Sequence, residues 1–250
     1  MTIVDVGGVA LDVEHTPGPR PALVFLHEGL GSLGLWRSFP DDVRRAAGDR
    51  EVLVYSRRGY GHSAPASTPR RVSYMHDEAD VVLPALLEQF GVERPVLVGH
   101  SDGASIALLY AGAGRPVRAL VLLAPHVFVE DRSIEGIEAA RRAYRDGDLA
   151  ARLARHHDDP DTTFRGWNDV WLSPEFRSWN IEGRLPAVTC PVLLVQGAAD
   201  PYGTVAQLDA IERGVAGPCR RVVLPGVGHA PHAEAPAQTL AVVGAFVGEV

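Results

Sequence analysis

The sequence predicts an α/β protein: a mostly parallel eight-stranded sheet flanked by helices, with a helical cap inserted after the sixth strand. Three observations carry this expectation. Short runs of Val and Leu recur without hydrophobic alternation, the pattern of strands buried on both faces. Segments with apolar residues at helical spacing separate these runs, as connections between parallel strands require. One long stretch late in the chain, rich in tryptophan, has helical spacing and no strand pattern.

In chain order, Ile3–Val6 and Val9–Val13 are split by Gly7-Gly8 and predict an antiparallel hairpin at one edge. Ala22–Leu26, Glu51–Tyr55, Val96–Val98 and Val117–Ala124 predict four buried strands. Asp77–Phe90 places Val81, Val82, Ala85, Leu86 and Phe90 on one helical face and begins with acidic residues that favour a helix N-terminus. Ser101–Ala111 reads as an apolar helix. From His126 to about Leu185 two helical patterns appear, near Ser133–Asp146 and Asp148–His157, together with Trp167, Trp171 and Trp179. Val192–Val195 and Arg221–Leu224 supply the last strands, Val205–Arg213 and Ala237–Val247 the last helices. The expected division is residues 1–125 and 186–250 for the core and 126–185 for a cap over the carboxyl edge of the sheet.

Composition removes several chemistries. All 24 basic residues are arginine, so a lysine Schiff base and a lysine held on phosphate are both excluded. A net charge of −7 argues against a nucleic-acid partner. Cys190 and Cys219 are too few for a disulfide framework or a four-cysteine zinc site. His156-His157-Asp158-Asp159-Pro160-Asp161 ends a helical pattern at a proline and reads as a solvated helix end rather than a metal cluster. No apolar run is long enough to span a bilayer, and the first residues lack a signal-peptide pattern, so the expectation is a cytoplasmic protein with no membrane partner.

The strongest chemical signal is Gly99-His100-Ser101-Asp102-Gly103, between a buried strand and an apolar helix. A sharp strand-to-helix turn presents the central serine at the sheet edge, and the flanking glycines relieve the crowding. A serine hydroxyl needs a base, and the base needs an orienting acid. Asp200 follows the strand after the cap and His229 follows the next, so they are the expected acid and base. Asp131 and Glu130 are the alternative acids, His232 the alternative base, and a helix cap near Thr204 the alternative duty for Asp200. The backbone N–H of Asp102 is the expected first oxyanion donor, and the glycine-containing loop His27-Glu28-Gly29-Leu30-Gly31-Ser32 should supply the second.

These motifs, with Arg58-Gly59-Tyr60-Gly61-His62-Ser63 and Gly228-His229 followed by Glu234 and Pro236, resemble those of the α/β-hydrolase superfamily over nearly the whole chain. Trp36 falls where many capped members also carry tryptophan, and that spacing puts Gly29 at their oxyanion-donor position. Two departures stand out. Members usually have glycine where this chain has Glu28, and many carry aspartate where it has Ser56. A carboxylate beside an oxyanion hole opposes the developing charge, so Glu28 should point away or pair with Arg57 or Arg58. The Ser101-Asp102-Gly103 elbow is similar to that of biphenyl-hydrolase-like, valacyclovir-hydrolysing esterases, in which the aspartate is implicated in binding a substrate amino group; the alternative is that Asp102 bonds nearby backbone and selects nothing.

The resemblance implies a serine hydrolase that cleaves a small ester-like acyl compound through an acyl-enzyme, with no cofactor and no metal. Carbon–carbon bond hydrolysis, lactone opening and a catalytically weak ligand-binding role are the alternatives on the same residues. Glu28, Trp36, His126, Trp167 and Trp171 are the candidate substrate contacts. Oligomeric state is not legible.

Overall fold

In the computed structural model, which describes residues 2–250, the hairpin strands are β1 (Thr2–Val6) and β2 (Val9–Thr16). They are followed by β3 (Leu23–Leu26), β4 (Val52–Ser56), β5 (Val96–His100), β6 (Ala119–Leu123), β7 (Val192–Gly197) and β8 (Cys219–Leu224). They form one sheet in the order β1-β2-β4-β3-β5-β6-β7-β8. β2 runs antiparallel to both neighbours and every other pair is parallel, from β4 onward. The central strands separate two apolar layers. Val24 and Leu26 face one, Leu23 and Phe25 the other, which is why these runs show no polar alternation. The chain visits β3, steps out to β4, then returns past β3 to β5 and β6. The carboxyl ends of β3 and β5 therefore flank the point where strand order reverses, the usual place for a site in such sheets.

Residues 74–89 form the expected helix, with a break in its hydrogen bonding: α-helix over Tyr74–Asp77, a π stretch over Glu78–Val82, and α-helix again over Leu83–Gln89. Pro84 explains part of this. It has no N–H to give the carbonyl of Asp80, and Arg115 Nη2 donates to that carbonyl instead, at 2.9 Å.

Between β6 and β7 the chain is helical, apart from one bridge pairing Phe128 with Asn180. Helix Asp131–Asp146 matches its expectation, whereas the second is shorter, Leu149–Leu153. A third helix, Pro160–Trp171, has no counterpart in the sequence reading. Its start follows ordinary rules: Pro160 occupies the first turn and the Asp159 carboxylate accepts from Thr162 N–H. The solvated helix end is also corrected. His157 is buried, its Nδ1 accepting from Gly61 N–H at 2.9 Å and its Nε2 donating to the Leu30 carbonyl at 3.1 Å. His157 thus ties down the loops that carry Gly61 and Leu30. Among the described residues no group of three or more metal-ligating side chains occurs, and no helix is long and apolar enough to cross a membrane.

Candidate active site

The turn between β5 and the helix Asp102–Gly112 holds Ser101 at φ 52° and ψ −116°, a conformation costly for any residue with a Cβ. It persists because its surroundings leave no alternative. A Cβ on Gly103 would overlap the Leu26 carbonyl oxygen, and one on Gly99 would overlap the backbone of Gly103 and Ala104. Ser101 N–H donates to the Leu123 carbonyl at 2.9 Å, fixing the elbow to β6. Gly103→Ala is therefore expected to lower stability by about 3 kcal/mol or more, because neither β3 nor the helix can retreat. Urea unfolding measures it, and a wild-type midpoint would refute this packing.

The loops after β7 and β8 bring Asp200 and His229 together. Both Asp200 carboxylate oxygens lie 2.9 Å from His229 Nδ1. Asp200 also accepts from Tyr202 N–H at 2.8 Å. Burial by itself would raise the Asp200 pKa, but the hydrogen bond and charge of His229 outweigh it and hold the carboxyl below its ordinary value. An ionised acceptor at Nδ1 fixes that nitrogen as N–H, which leaves Nε2 with a lone pair. Glu234 holds the loop from below, accepting from Gly228 N–H at 2.7 Å and Ala230 N–H at 2.9 Å.

The alternative assignments fall elsewhere. Glu130 is occupied by Thr204 and Gln207, and exposed Asp131 pairs with Arg177. Thr204 caps its own helix, accepting from Ala206 N–H, so Asp200 is not needed there. His232 is buried against Trp36 and Phe39, where burial pushes its pKa down to about 3.

Ser101 and His229 open onto one cavity of about 100 Å³ with Glu28, Gly29, His126, Trp167 and Trp171 in its wall. Tyr202 and Ile137, which sequence reasoning did not single out, also line it. A larger groove of about 590 Å³ lies between Thr68–Val72 and the helix Pro160–Trp171 and contains none of these groups. Gly29 is required by its neighbour, since a Cβ there would overlap the Trp167 indole. The Trp167 N–H makes no hydrogen bond among the described residues. His126 is buried three residues beyond β6, 5.4 Å from the Trp171 ring and 5.8 Å from the His229 ring, centroid to centroid. Burial first, then the His229 charge, push its pKa down to about 3, so it is neutral.

Trp36 lies away from this cavity. It packs edge-on to Phe25 and stacks on Phe39, serving the layer beneath the sheet edge. Trp179 likewise stacks on Phe176. The Asp102 carboxylate also points away, into the protein. It accepts from Tyr74 Oη at 2.6 Å and lies 3.7 Å from Arg57, and Tyr74 Oη in turn accepts from Trp171 Nε1–H at 3.0 Å. Asp102 therefore bonds side chains rather than local backbone, and it anchors a wall of the cavity indirectly. The Glu28 carboxylate does not pair with an arginine. It lies 3.3 Å from His100 Nδ1, while Arg57 Nη2 donates to the Glu28 carbonyl at 2.8 Å. Ser56 Oγ accepts from Leu33 N–H at 3.0 Å, and Asp12 on β2 supplies a carboxylate beside it, at 3.4 Å.

Comparison with known proteins agrees with this architecture. The model for the alpha/beta hydrolase family matches residues 23–242. Epoxide hydrolase A of Mycobacterium tuberculosis is 25% identical over 98% of this chain and 96% of its own. The solved structure of Est816, described as an N-acyl homoserine lactone degrading enzyme, superposes with a TM-score of 0.73 at 24% identity, covering 98% of this chain and 100% of that one. The enol-lactonase from Burkholderia xenovorans LB400 gives 0.76 at 18% identity, over 98% and 99%.

Proposed function

Because the chain belongs to the alpha/beta hydrolase family, we propose that it is a serine hydrolase of small, uncharged carboxylic esters or lactones, acting through an acyl-enzyme. The observation that carries this reading is the bidentate approach of Asp200 to His229 Nδ1, at 2.9 Å from each oxygen, in a loop that shares one small cavity with Ser101. His229 Nε2 takes the Ser101 proton as Oγ attacks the carbonyl, and Asp200 stabilises the imidazolium that results. The amides of Asp102 and Gly29 receive the oxyanion. The imidazolium then protonates the leaving oxygen, and water, activated by the same base, releases the acid.

The nucleophile itself separates this reading from epoxide opening. Serine attack on an epoxide would leave an alkyl ether, which has no carbonyl for water to attack, so the enzyme would stay blocked. A serine ester is released by the chemistry that formed it.

Size and charge narrow the substrate. The cavity beside Ser101 is small, about 100 Å³, which favours a short acyl group over a long one. The groups free to meet a ligand are neutral: the Trp167 N–H, His126, and the backbone amides. Asp102 points away from the cavity, and the Glu28 carboxylate in its wall is held by His100.

A fluorophosphonate probe should label Ser101 stoichiometrically. In a panel of esters, p-nitrophenyl acetate should exceed p-nitrophenyl octanoate in kcat/KM by at least about tenfold. Amino-acid esters should gain nothing over uncharged esters of equal size. Failure to label would sink the nucleophile assignment, and a preference for long or cationic acyl groups would sink the substrate class.

A further inference from the structure

Glu28 departs from the glycine that the motif resemblance leads one to expect, and the structure gives it an elaborate seat. Its carbonyl accepts from Arg57 Nη2 and from His27 Nδ1, each at 2.8 Å, and from Gly31 N–H at 3.1 Å. Gly31 leaves room for the side chain, because a Cβ there would overlap the Glu28 carboxylate. Across the site, His100 Nδ1 lies 3.3 Å from Glu28 Oε2, and His100 Nε2 lies 2.8 Å from the His229 carbonyl oxygen. Both partners are acceptors. Only an imidazolium can donate from both nitrogens at once.

We propose that Glu28 and a protonated His100 form a charged clip that fixes the base loop at His229 against the oxyanion loop at Gly29, with the residue next to Ser101 as the joint. The two are positioning residues, and the proposal rests on the Ser101-His229-Asp200 reading above. Geometry gives the clip its reach. His100 precedes the nucleophile, Glu28 precedes Gly29, and the carbonyl that is held belongs to the base itself. Together with Glu234 on the flanking amides, it restrains the His229 backbone on its carbonyl and on the N–H groups at either side.

The surrounding groups keep the charge in place. Burial disfavours the His100 cation, but the Glu28 hydrogen bond and charge, the His229 carbonyl and the Asp200 charge together raise its pKa above the usual histidine value. For Glu28, burial acts upward and is outweighed by the hydrogen bond and charge of His100, so the carboxyl sits far below its ordinary range. The His229 and His232 rings stand 5.1 and 4.9 Å from His100, and Trp36 packs at 6.3 Å. His27 and His232 are both held neutral by burial and add no competing charge.

Above its pKa, His100 can keep one donated bond only. The charged Glu28 retains Nδ1–H, and a lone pair then faces the His229 carbonyl and releases the base loop. Glutamine at position 28 reverses the polarity: its amide donates to a neutral Nδ1, and Nε2–H stays on the carbonyl without any charge. The pH profile of kcat/KM on p-nitrophenyl acetate, measured for wild type, Glu28→Gln and Glu28→Ala, tests this. Wild type should show an alkaline fall that Glu28→Gln lacks. Glu28→Ala should lose about tenfold to a hundredfold in kcat with KM within about threefold, and Glu28→Gln should recover most of that loss. Three superimposable profiles, or an unimpaired Glu28→Ala, would overturn the clip. Imidazole ¹⁵N shifts at neutral pH give an independent reading: His100 should be doubly protonated in wild type and neutral in Glu28→Gln, and a neutral wild-type His100 also overturns it. A wild-type protein that fails to react with fluorophosphonate overturns the nucleophile assignment and the clip with it. Normal labelling with unchanged Glu28 variants overturns the clip alone.

Discussion

Ser101→Ala is expected to reduce ester hydrolysis by about 10⁴-fold or more while leaving the fold intact. The hydroxyl makes no hydrogen bond among the described residues, so its removal costs no structural bond. Alanine also inherits the same φ of 52°, neither adding nor relieving backbone strain. What is lost is the nucleophile. On the proposed mechanism the amides of Asp102 and Gly29 and the His229 base remain, which is why some rate above the uncatalysed reaction should persist.

Ser101→Gly separates the two duties of the position more sharply. Glycine adopts a positive φ without a Cβ clash, so this variant should be as inactive as the alanine one and more stable by about 1 kcal/mol. The pair reads the trade between catalysis and stability at one residue. Initial rates on p-nitrophenyl acetate and chemical denaturation provide both numbers. Wild-type turnover in either variant would remove Ser101 from the mechanism.

The main outline was legible because its signals are local. Leu23–Leu26 shows no polar alternation because both faces of β3 are covered, and Gly99 and Gly103 sit where backbone crosses backbone. Asp200 and His229 could be located because each stands just beyond a strand whose apolar run is readable. Other parts depend on partners distant along the chain. The resemblance makes Trp36 a candidate substrate contact, but Phe25 and Phe39 bury it in the layer below. The helix Pro160–Trp171 mixes polar and apolar residues, since its face packs on a loop as well as on the helix Asp131–Asp146; only the Asp159-Pro160 start was a local signal. The Glu28–His100 contact spans 72 positions. Nothing in either segment states that the other exists.

The largest stability effect should come from acid, and buried neutral histidines should cause it. Burial pushes His126 and His232 down to about 3 and holds His27 well below its usual value. Unfolded, each titrates near its ordinary value of about 6.5. Between those limits the unfolded chain binds the proton and the folded chain does not, so stability falls as pH drops below about 6.5. Each such group costs about 1.4 kcal/mol per pH unit. For the two groups held at about 3, the loss at pH 5 is roughly 4 kcal/mol, a large part of the stability of a typical domain, and His27 acts in the same direction. His100 adds nothing to this slope, because below about 6.5 it is charged in both states; its raised pKa instead weakens the fold as pH rises through that value. Asp200 and Glu28, both lowered, add to the loss once pH falls into the carboxylate range. Glu78, raised by burial, acts in the opposite sense. Cooperative unfolding is therefore expected between about pH 4 and 5.5, followed by tryptophan fluorescence and far-UV dichroism. His232→Phe provides the decisive comparison. His232 Nδ1 has no partner among the described residues, and its ring already packs against Trp36 and Phe39, so phenylalanine fits the site while removing the proton acceptor. The slope of unfolding free energy against pH should fall by about 1.4 kcal/mol per unit between pH 4 and 6, and the acid midpoint should move down. An unchanged slope would mean that His232 is protonated in the folded protein as readily as in the unfolded one.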